Sequence, residues 1–159
     1  MLTQEYLKSI LHYDPETGIF TWKKKIANSI IVGRPAGNSN DYCQISIHKK
    51  AYLAHRLAFL YCHGYLPEIV DHINRNTRDN RLSNLRAATF STSCANRKLN
   101  HQNKTGYKGV KRRKNGRYIA RICKDGKRLH VGTFDTPEEA YDAYCVKGYE
   151  LFGSFFCSG

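Results

Sequence analysis

The sequence predicts an α+β fold in two parts, on three observations. Residues 69–98 follow the pattern of a strand, a polar loop, a second strand and a helix. Further along the chain, the dipeptides Asn115-Gly116 and Asp125-Gly126 are strong hairpin signals between strand-like segments. A polar, aperiodic stretch separates the two patterns, which indicates a linker. The predicted limits are 1–98 for the first domain, 99–105 for the linker and 106–159 for the second domain.

Caps and turns define the elements that precede residue 69. Thr3 is the predicted cap of a short helix that includes Ile10 and Leu11. The segment from Asp14 to Gly18 is a turn. The remaining predicted elements are strands at 19–22 and 42–47, a loop at 23–41, and a strand that becomes a helix over 52–61.

The pattern from residue 69 onwards places polar side chains where elements meet. The first strand, 68–72, delivers Asp71 and His72 to its end, and the loop 73–83 is polar. The second strand is 85–88, and the helix is 91–98. Two antiparallel strands and a helix can bring one residue from each element to a single metal ion, so we expect a ββα-metal core over residues 69–98.

Asp71 and His72, with Asn84 about a dozen residues further on, are side chains suited to metal-assisted phosphodiester hydrolysis. The carboxylate can hold a divalent cation. The imidazole can take a proton from water near neutral pH, because its unperturbed pKa is about 6.5. An asparagine can fix the histidine tautomer or complete the oxygen shell of the ion. The simpler alternatives are that His72 is only a strand-end polar residue and that Asp79, Asn80 and Asn84 are turn formers.

The second part is predicted to be a three-stranded sheet covered by one helix. Thr136 as cap, Pro137 at the first helical position and Glu139 in a capping box start that helix, and Gly153 ends it. Apolar and cationic side chains alternate along the strands, so one face of the sheet packs on the helix and the other is cationic. The predicted strands are 107–112, 117–124 and 127–134.

The charge of the chain favours a polyanionic partner. The net charge is +13, and thirteen Lys or Arg residues lie between Arg97 and Arg128 with Asp125 as the single acid. Strand and turn signals interrupt this run, which disfavours a membrane-bound amphipathic helix. Paired strands fit the major groove of duplex DNA, whereas the narrow groove of duplex RNA disfavours an RNA partner.

The cysteines and the apolar segments indicate a cytoplasmic protein without a membrane partner. None of the six cysteines has Cys-x-x-Cys spacing, which disfavours a zinc knuckle. The first residues lack a secretory signal, and no apolar run is long enough to span a bilayer. We therefore expect reduced cysteines in apolar surroundings, such as Cys62 and Cys145, and no obligatory protein partner.

Motifs in both parts resemble known families. The first part contains His55-Arg56-Leu57, Asp71-His72-Ile73-Asn74, Asp79-Asn80-Arg81-Leu82-Ser83-Asn84-Leu85-Arg86 and Thr89. These resemble the HNH endonucleases, in particular the phage and intron-borne homing types. The second part contains Tyr107-Lys108-Gly109-Val110, Gly116-Arg117-Tyr118, Gly132-Thr133-Phe134-Asp135-Thr136-Pro137-Glu138-Glu139-Ala140 and Ala143-Tyr144. These resemble the AP2/ERF DNA-binding domain.

The resemblance to the HNH endonucleases implies a role for each matching residue. His72 is the general base that activates water, Asn84 holds the histidine loop, and Asp71 is the first ligand of one Mg²⁺ or Mn²⁺ ion. Close relatives place Asn or His at the position of the last metal ligand, where this chain has Ser93. Asn96, one helical turn further on the same face, is the alternative ligand.

The resemblance to the AP2 domain implies contacts with double-stranded DNA on the cationic face. Together with the alternation along the strands, it gives the expected contact residues as Lys108, Lys111, Arg113, Arg117, Arg121, Arg128 and His130. Two functions remain open at this point. One is a phage- or intron-encoded DNA endonuclease of the homing type, and the other is a DNA-binding protein with an inactive HNH domain.

Overall fold

The computed structural model describes residues 2–38 and 41–159, which form two compact units, Met1–Ala87 and Ala88–Gly159. Both units combine helices with small sheets, so the predicted α+β class is confirmed. The predicted loop at 23–41 contains no helix or strand in its described part, and its residues 39 and 40 lie outside the described residues.

The first unit is built from short helices and two-stranded sheets around one apolar core. Strands pair as β1 with β2, β3 with β4, and β5 with β6. Thr3 Oγ1 accepts a hydrogen bond from the backbone N–H of Tyr6, as predicted for the first helix cap. The elements are α1 Gln4–Ile10, β1 Leu11–Asp14, β2 Ile19–Trp22, β3 Gln44–Ile47, β4 Lys50–Leu53, α2 Ala54–His63, β5 Ile69–His72 and β6 Leu85–Ala88.

Strand β1 was not predicted from the sequence, which assigned Leu11 to the first helix. In the structure the helix ends at Ile10, and Leu11 pairs with Trp22 across the hairpin. Leu11 and Tyr13 are both buried, whereas His12 between them is exposed. This alternation covers too few residues to predict a strand from the sequence. The pairing with β2 is what makes residues 11–14 a strand and not the end of the helix.

The second unit is a three-stranded antiparallel sheet covered by a long helix, as predicted. Its elements are α3 Phe90–Ala95, β7 Val110–Arg112, β8 Tyr118–Lys124, β9 Lys127–Phe134 and α4 Pro137–Phe152. Thr136 and Glu139 form the predicted capping box at the start of α4. Ala120, Ile122 and Tyr144 are buried between the sheet and α4.

Helix α3 belongs to the second unit and is shorter than predicted. Ala95, its last residue, is buried in the core of that unit. The Lys108 ammonium donates hydrogen bonds to the carbonyls of Ala95, Arg97 and Cys157 at 2.9, 2.5 and 2.6 Å. These contacts satisfy carbonyls at the end of α3, where a helix leaves them without partners. The division between the compact units therefore precedes the predicted linker.

Gly109 is required by the packing of the second unit. Its φ is +76°, and a Cβ atom built there would lie 2.2 Å from the buried ring of Tyr144. We expect Gly109→Ala to lower the free energy of unfolding by about 2–4 kcal/mol, from backbone strain plus ring displacement. Gly116→Ala is the matched control, because Gly116 has φ +85° but open space at the Cβ position. It should cost about 1 kcal/mol; equal losses in urea denaturation would contradict this account.

The cysteines are all free, but they are more accessible than predicted. Cys62 and Cys145 are partly buried at the edges of the two cores, and Cys123 is exposed on β8. The expectation that the cysteines are core residues is therefore wrong for Cys123. Across residues 2–38 and 41–159, no helix combines the length and the apolar character needed to cross a membrane.

Candidate functional site

Asp71 and His72 end strand β5 and have different surroundings, because successive side chains of a strand point to opposite faces. His72 is buried, with 5% of its surface exposed. Asp71 is partly buried, and its Oδ2 accepts a hydrogen bond from Nε of Arg86 on β6 at 3.1 Å and forms an ion pair with Nη2 of the same guanidinium at 3.0 Å. The pairing of β5 with β6 therefore fixes the carboxylate at the edge of the site.

The His72 imidazole is held by Asn80. Nε2 lies 3.2 Å from Asn80 Oδ1, and both side chains are buried. An amide oxygen only accepts hydrogen bonds, so Nε2 carries the proton and Nδ1 has the lone pair. Burial lowers the pKa of His72 from its ordinary value, although the hydrogen bond that its Nε2 donates to Asn80 and the carboxylates of Asp71 and Asp79 oppose this shift. The ring is therefore neutral at neutral pH and can accept a proton.

A second buried histidine lies against His72. The His55 ring, from the first turn of α2, is 4.8 Å from the His72 ring in an edge-on arrangement. Burial, followed by the nearby His72 and Arg56, lowers the pKa of His55 to about 3. His55 is therefore uncharged at neutral pH. The half-exposed ring of Tyr42 lies 5.5 Å from His55 and 6.2 Å from His72.

Asn84 spans the polar loop that follows His72. Its Oδ1 accepts a hydrogen bond from the backbone N–H of Asn74 at 2.9 Å, and its Nδ2 donates to the carbonyl of Asp79 at 2.8 Å. Asp79 in turn accepts from Asn74 Nδ2 and, at 2.7 and 2.6 Å, from Arg81. The Arg81 guanidinium is the main cause that holds the pKa of Asp79 at about 2. These contacts fix the loop, while Asn80 is the asparagine that reaches the histidine.

Ser93 and Asn96, the other predicted metal ligands, are described within the second unit. Thr89 caps α3 through a capping box with Thr92, and Ser93 is half-buried in the last turn. Asn96 is buried just after the helix, and its backbone N–H donates to the carbonyl of Thr92 at 3.3 Å. Among residues 2–38 and 41–159, no three His, Cys, Asp or Glu side chains cluster in a metal-binding arrangement.

The outer face of the second unit's sheet is cationic, as predicted. Arg121 on β8 pairs with His130 on β9, and Arg128 lies opposite Cys123 on the same face. Ile119 is buried on this face beneath the cations, in a shallow concavity also lined by Lys111, Arg113 and Arg121. We call the exposed side chains of this surface the basic face; they are Lys111, Arg113, Arg121, Arg128 and His130.

Two predicted DNA-binding cations have protein partners instead. The Lys108 ammonium donates hydrogen bonds to three backbone carbonyls, and it lies 5.7 Å from the ring centre of Phe156. Arg117 forms an ion pair with Asp135 at 2.8 Å and donates to the carbonyl of Thr133 at 3.3 Å. Their roles in DNA binding stay predictions, with less support than those of the basic face.

These features define a class of protein: an Asp-His pair of the kind suited to hydrolysis on a strand pair, in a chain that also carries a cationic sheet backed by a helix. Comparison with known proteins identifies both parts. Residues 52–92 match the HNH endonuclease family and residues 105–153 match the AP2 domain. The chain therefore contains an HNH endonuclease domain followed by an AP2 domain, and the resemblance drawn from the sequence is confirmed.

One relative extends over both parts of the chain. It is described as an uncharacterized HNH endonuclease, L560, of Acanthamoeba polyphaga mimivirus, and it is 33% identical over 119 residues. The match covers 74% of this chain and 58% of the relative, so the chain spans little more than half of the relative's length. No solved structure matches the chain significantly.

Proposed function

We propose that this protein is a DNA endonuclease that hydrolyses phosphodiester bonds of duplex DNA, with His72 as the general base. The observation that carries the proposal is the neutral, buried His72, whose Nε2 is held by Asn80 beside Asp71 in an HNH domain. In the proposed step Nδ1 takes a proton from water. The oxygen of that water attacks the phosphorus, the bond to the 3′ oxygen breaks, and the departing 3′ oxygen takes a proton from solvent to become a hydroxyl.

The oxygen donors fit Mg²⁺ or Mn²⁺. By residue type, Asp71 carries a carboxylate, Ser93 a hydroxyl and Asn96, the alternative to Ser93, an amide oxygen, and hard divalent cations prefer oxygen ligands of these types. When bound, one such ion would stabilise the charge that develops on the scissile phosphate. Arg86, at Asp71 Oδ2, orients the carboxylate and partly compensates its charge.

The basic face is the proposed DNA-holding surface. It presents cations from neighbouring antiparallel strands, and a ribbon of two strands can enter the major groove. Arg121 and Arg128 on its two longer strands can reach guanine edges or phosphates. The virus-encoded relative supports a further proposal, that the enzyme is of the homing type and is carried by a phage or an intron, acting in the host cytoplasm.

Incubation of the purified protein with long duplex DNA tests this function. With Mg²⁺ or Mn²⁺ we expect cleavage at discrete positions, and EDTA should abolish it. Mapping of the ends should show a 5′-phosphate and a 3′-hydroxyl, as the family implies. Absence of cleavage with either metal, under conditions where the protein binds the same DNA, would contradict the endonuclease function.

The second candidate function is DNA binding with an inactive nuclease domain, and Ser93 is the observation that favours it. A serine hydroxyl is a weaker ligand than the amide oxygen expected at this position. If the site is weakened there, Ser93→Asn should raise the metal-dependent cleavage rate by at least tenfold, measured with labelled duplex at saturating Mg²⁺. Ser91→Asn, two residues earlier and on the opposite side of the same helix, is the control. An equal rate for the parent and Ser93→Asn would argue against a ligand role for this position.

A further inference from the structure

We propose that the hairpin β1–β2 is part of the nuclease site, because it positions His72 through Asn80. The inference rests on the proposed role of His72 as base. The hairpin covers residues 11–22 and lies outside both matched family segments. It contacts the loop that holds Asn80 at three points, at the carbonyl of that residue and just beyond it.

The first contact comes from Tyr13 on β1. Its hydroxyl donates a hydrogen bond of 2.7 Å to the backbone carbonyl of Asn80, and the ring is 2% exposed. The rings of Phe20 and Tyr61 lie 4.7 and 5.7 Å away and fix its orientation. Burial raises the pKa of Tyr13, so the hydroxyl keeps its proton for this bond.

The other contacts come from the turn between the strands. Gly18 has φ +74°, and a Cβ atom there would lie 2.5 Å from both the carbonyl carbon of Asn80 and the nitrogen of Arg81. The carbonyl of Pro15 accepts a hydrogen bond from the backbone N–H of Leu82 at 3.1 Å. The backbone of Asn80 is therefore held by Tyr13 at its carbonyl and by the turn just beyond it.

Fixing this backbone fixes the side chain that reaches His72. Asn80 is buried, and its Oδ1 determines which imidazole nitrogen carries the proton. A displaced Asn80 would release the ring to the other tautomer, which presents a proton rather than a lone pair from Nδ1. Tyr13 and Gly18 are thus positioning residues that act without touching the substrate.

The test measures the tautomer of His72 and the cleavage rate separately. In Tyr13→Phe, long-range ¹H–¹⁵N NMR of the full chain should show loss of the Nε2-protonated form, and Asn80→Ala should show a larger loss. We expect kcat to fall by about tenfold in Tyr13→Phe, as for other residues that orient a functional side chain, with KM for DNA unchanged. Tyr61→Phe removes a hydroxyl from the same aromatic cluster and should leave both readouts at parental values.

Gly18→Ala displaces the same loop backbone through the turn, without changing Tyr13. It should reproduce the NMR change even where Tyr13→Phe proves unstable. An unchanged His72 spectrum in Tyr13→Phe and Gly18→Ala would overturn the inference, as would a loss of thermal stability without any change in tautomer or kcat. The NMR measurement requires no turnover. A parent protein that fails to cut DNA would therefore contradict the proposed function, but the tautomer of His72 would still test whether the hairpin positions Asn80.

Discussion

Replacing His72 with alanine should lower kcat for DNA cleavage by a factor of about 10²–10⁴, the usual contribution of a positioned general base. The expected loss follows from the buried neutral ring, whose Nδ1 carries the lone pair. Removal of the ring leaves Asp71 with Arg86 and leaves the second unit unchanged, so DNA affinity should persist. Single-turnover cleavage of end-labelled duplex and fluorescence anisotropy measure the two quantities.

His63→Ala is the matched control. His63 is an exposed histidine at the end of α2, and its ring packs on Phe59 rather than near Asn80. Its cleavage rate should stay within about twofold of the parent, because surface substitutions rarely perturb a distant site. Cleavage undiminished in His72→Ala would show that another group activates the water. A parallel loss of DNA affinity would instead indicate that the substitution disturbs the fold.

Much of the fold was predictable because local signals agree with the packing. The turn from Asp14 to Gly18 and the two hairpin dipeptides required special backbone angles, which few residue types tolerate. The capping box at Thr136 was equally predictable, because the spacing of Thr136 and Glu139 specifies which backbone N–H group each side chain accepts a hydrogen bond from. Strand β1 had no such signal, and only its pairing with β2 distinguishes it from the end of a helix.

The candidate site was predictable at its centre but not at its edges. Asp71, His72 and Asn84 follow from residue type and spacing, and the structure places all three around one loop. Asn80 looked like a turn former, because the sequence does not reveal which of two asparagines on one loop points inward. The contact of Tyr13 with Asn80 joins residues 67 positions apart, and no local pattern predicts it.

The cations of the second unit show the same limit. Lys108 and Arg117 carry the same charge as the neighbouring Lys and Arg residues. The sequence therefore predicts a DNA contact for each of them. In the structure Lys108 closes the end of α3 and Arg117 pairs with Asp135. The basic face that remains is smaller and lies on the strands, which concentrates the expected effect of substitution on Arg121 and Arg128.

Charge reversal of Arg121 and Arg128 should weaken DNA binding strongly and make it less sensitive to salt. Six phosphate contacts would give log K a slope of about −5 against log salt, and loss of two contacts would reduce it to about −4. The exposed pair Lys24→Glu and Lys25→Glu lowers the net charge equally but belongs to the first unit and is not part of the basic face. Anisotropy titrations from 50 to 200 mM salt would compare the two double variants with the parent.

If binding depends on the basic face, only the sheet variant changes the slope; if it depends on net charge alone, the two double variants lose affinity equally. Neither Arg121 nor Arg128 contributes to a buried core, so urea unfolding should be unaffected within about 0.5 kcal/mol. Cleavage by the sheet variant should recover at low salt and high enzyme concentration, because its His72 site is intact. Failure to recover would mean that these arginines contribute to the chemical step as well as to holding DNA.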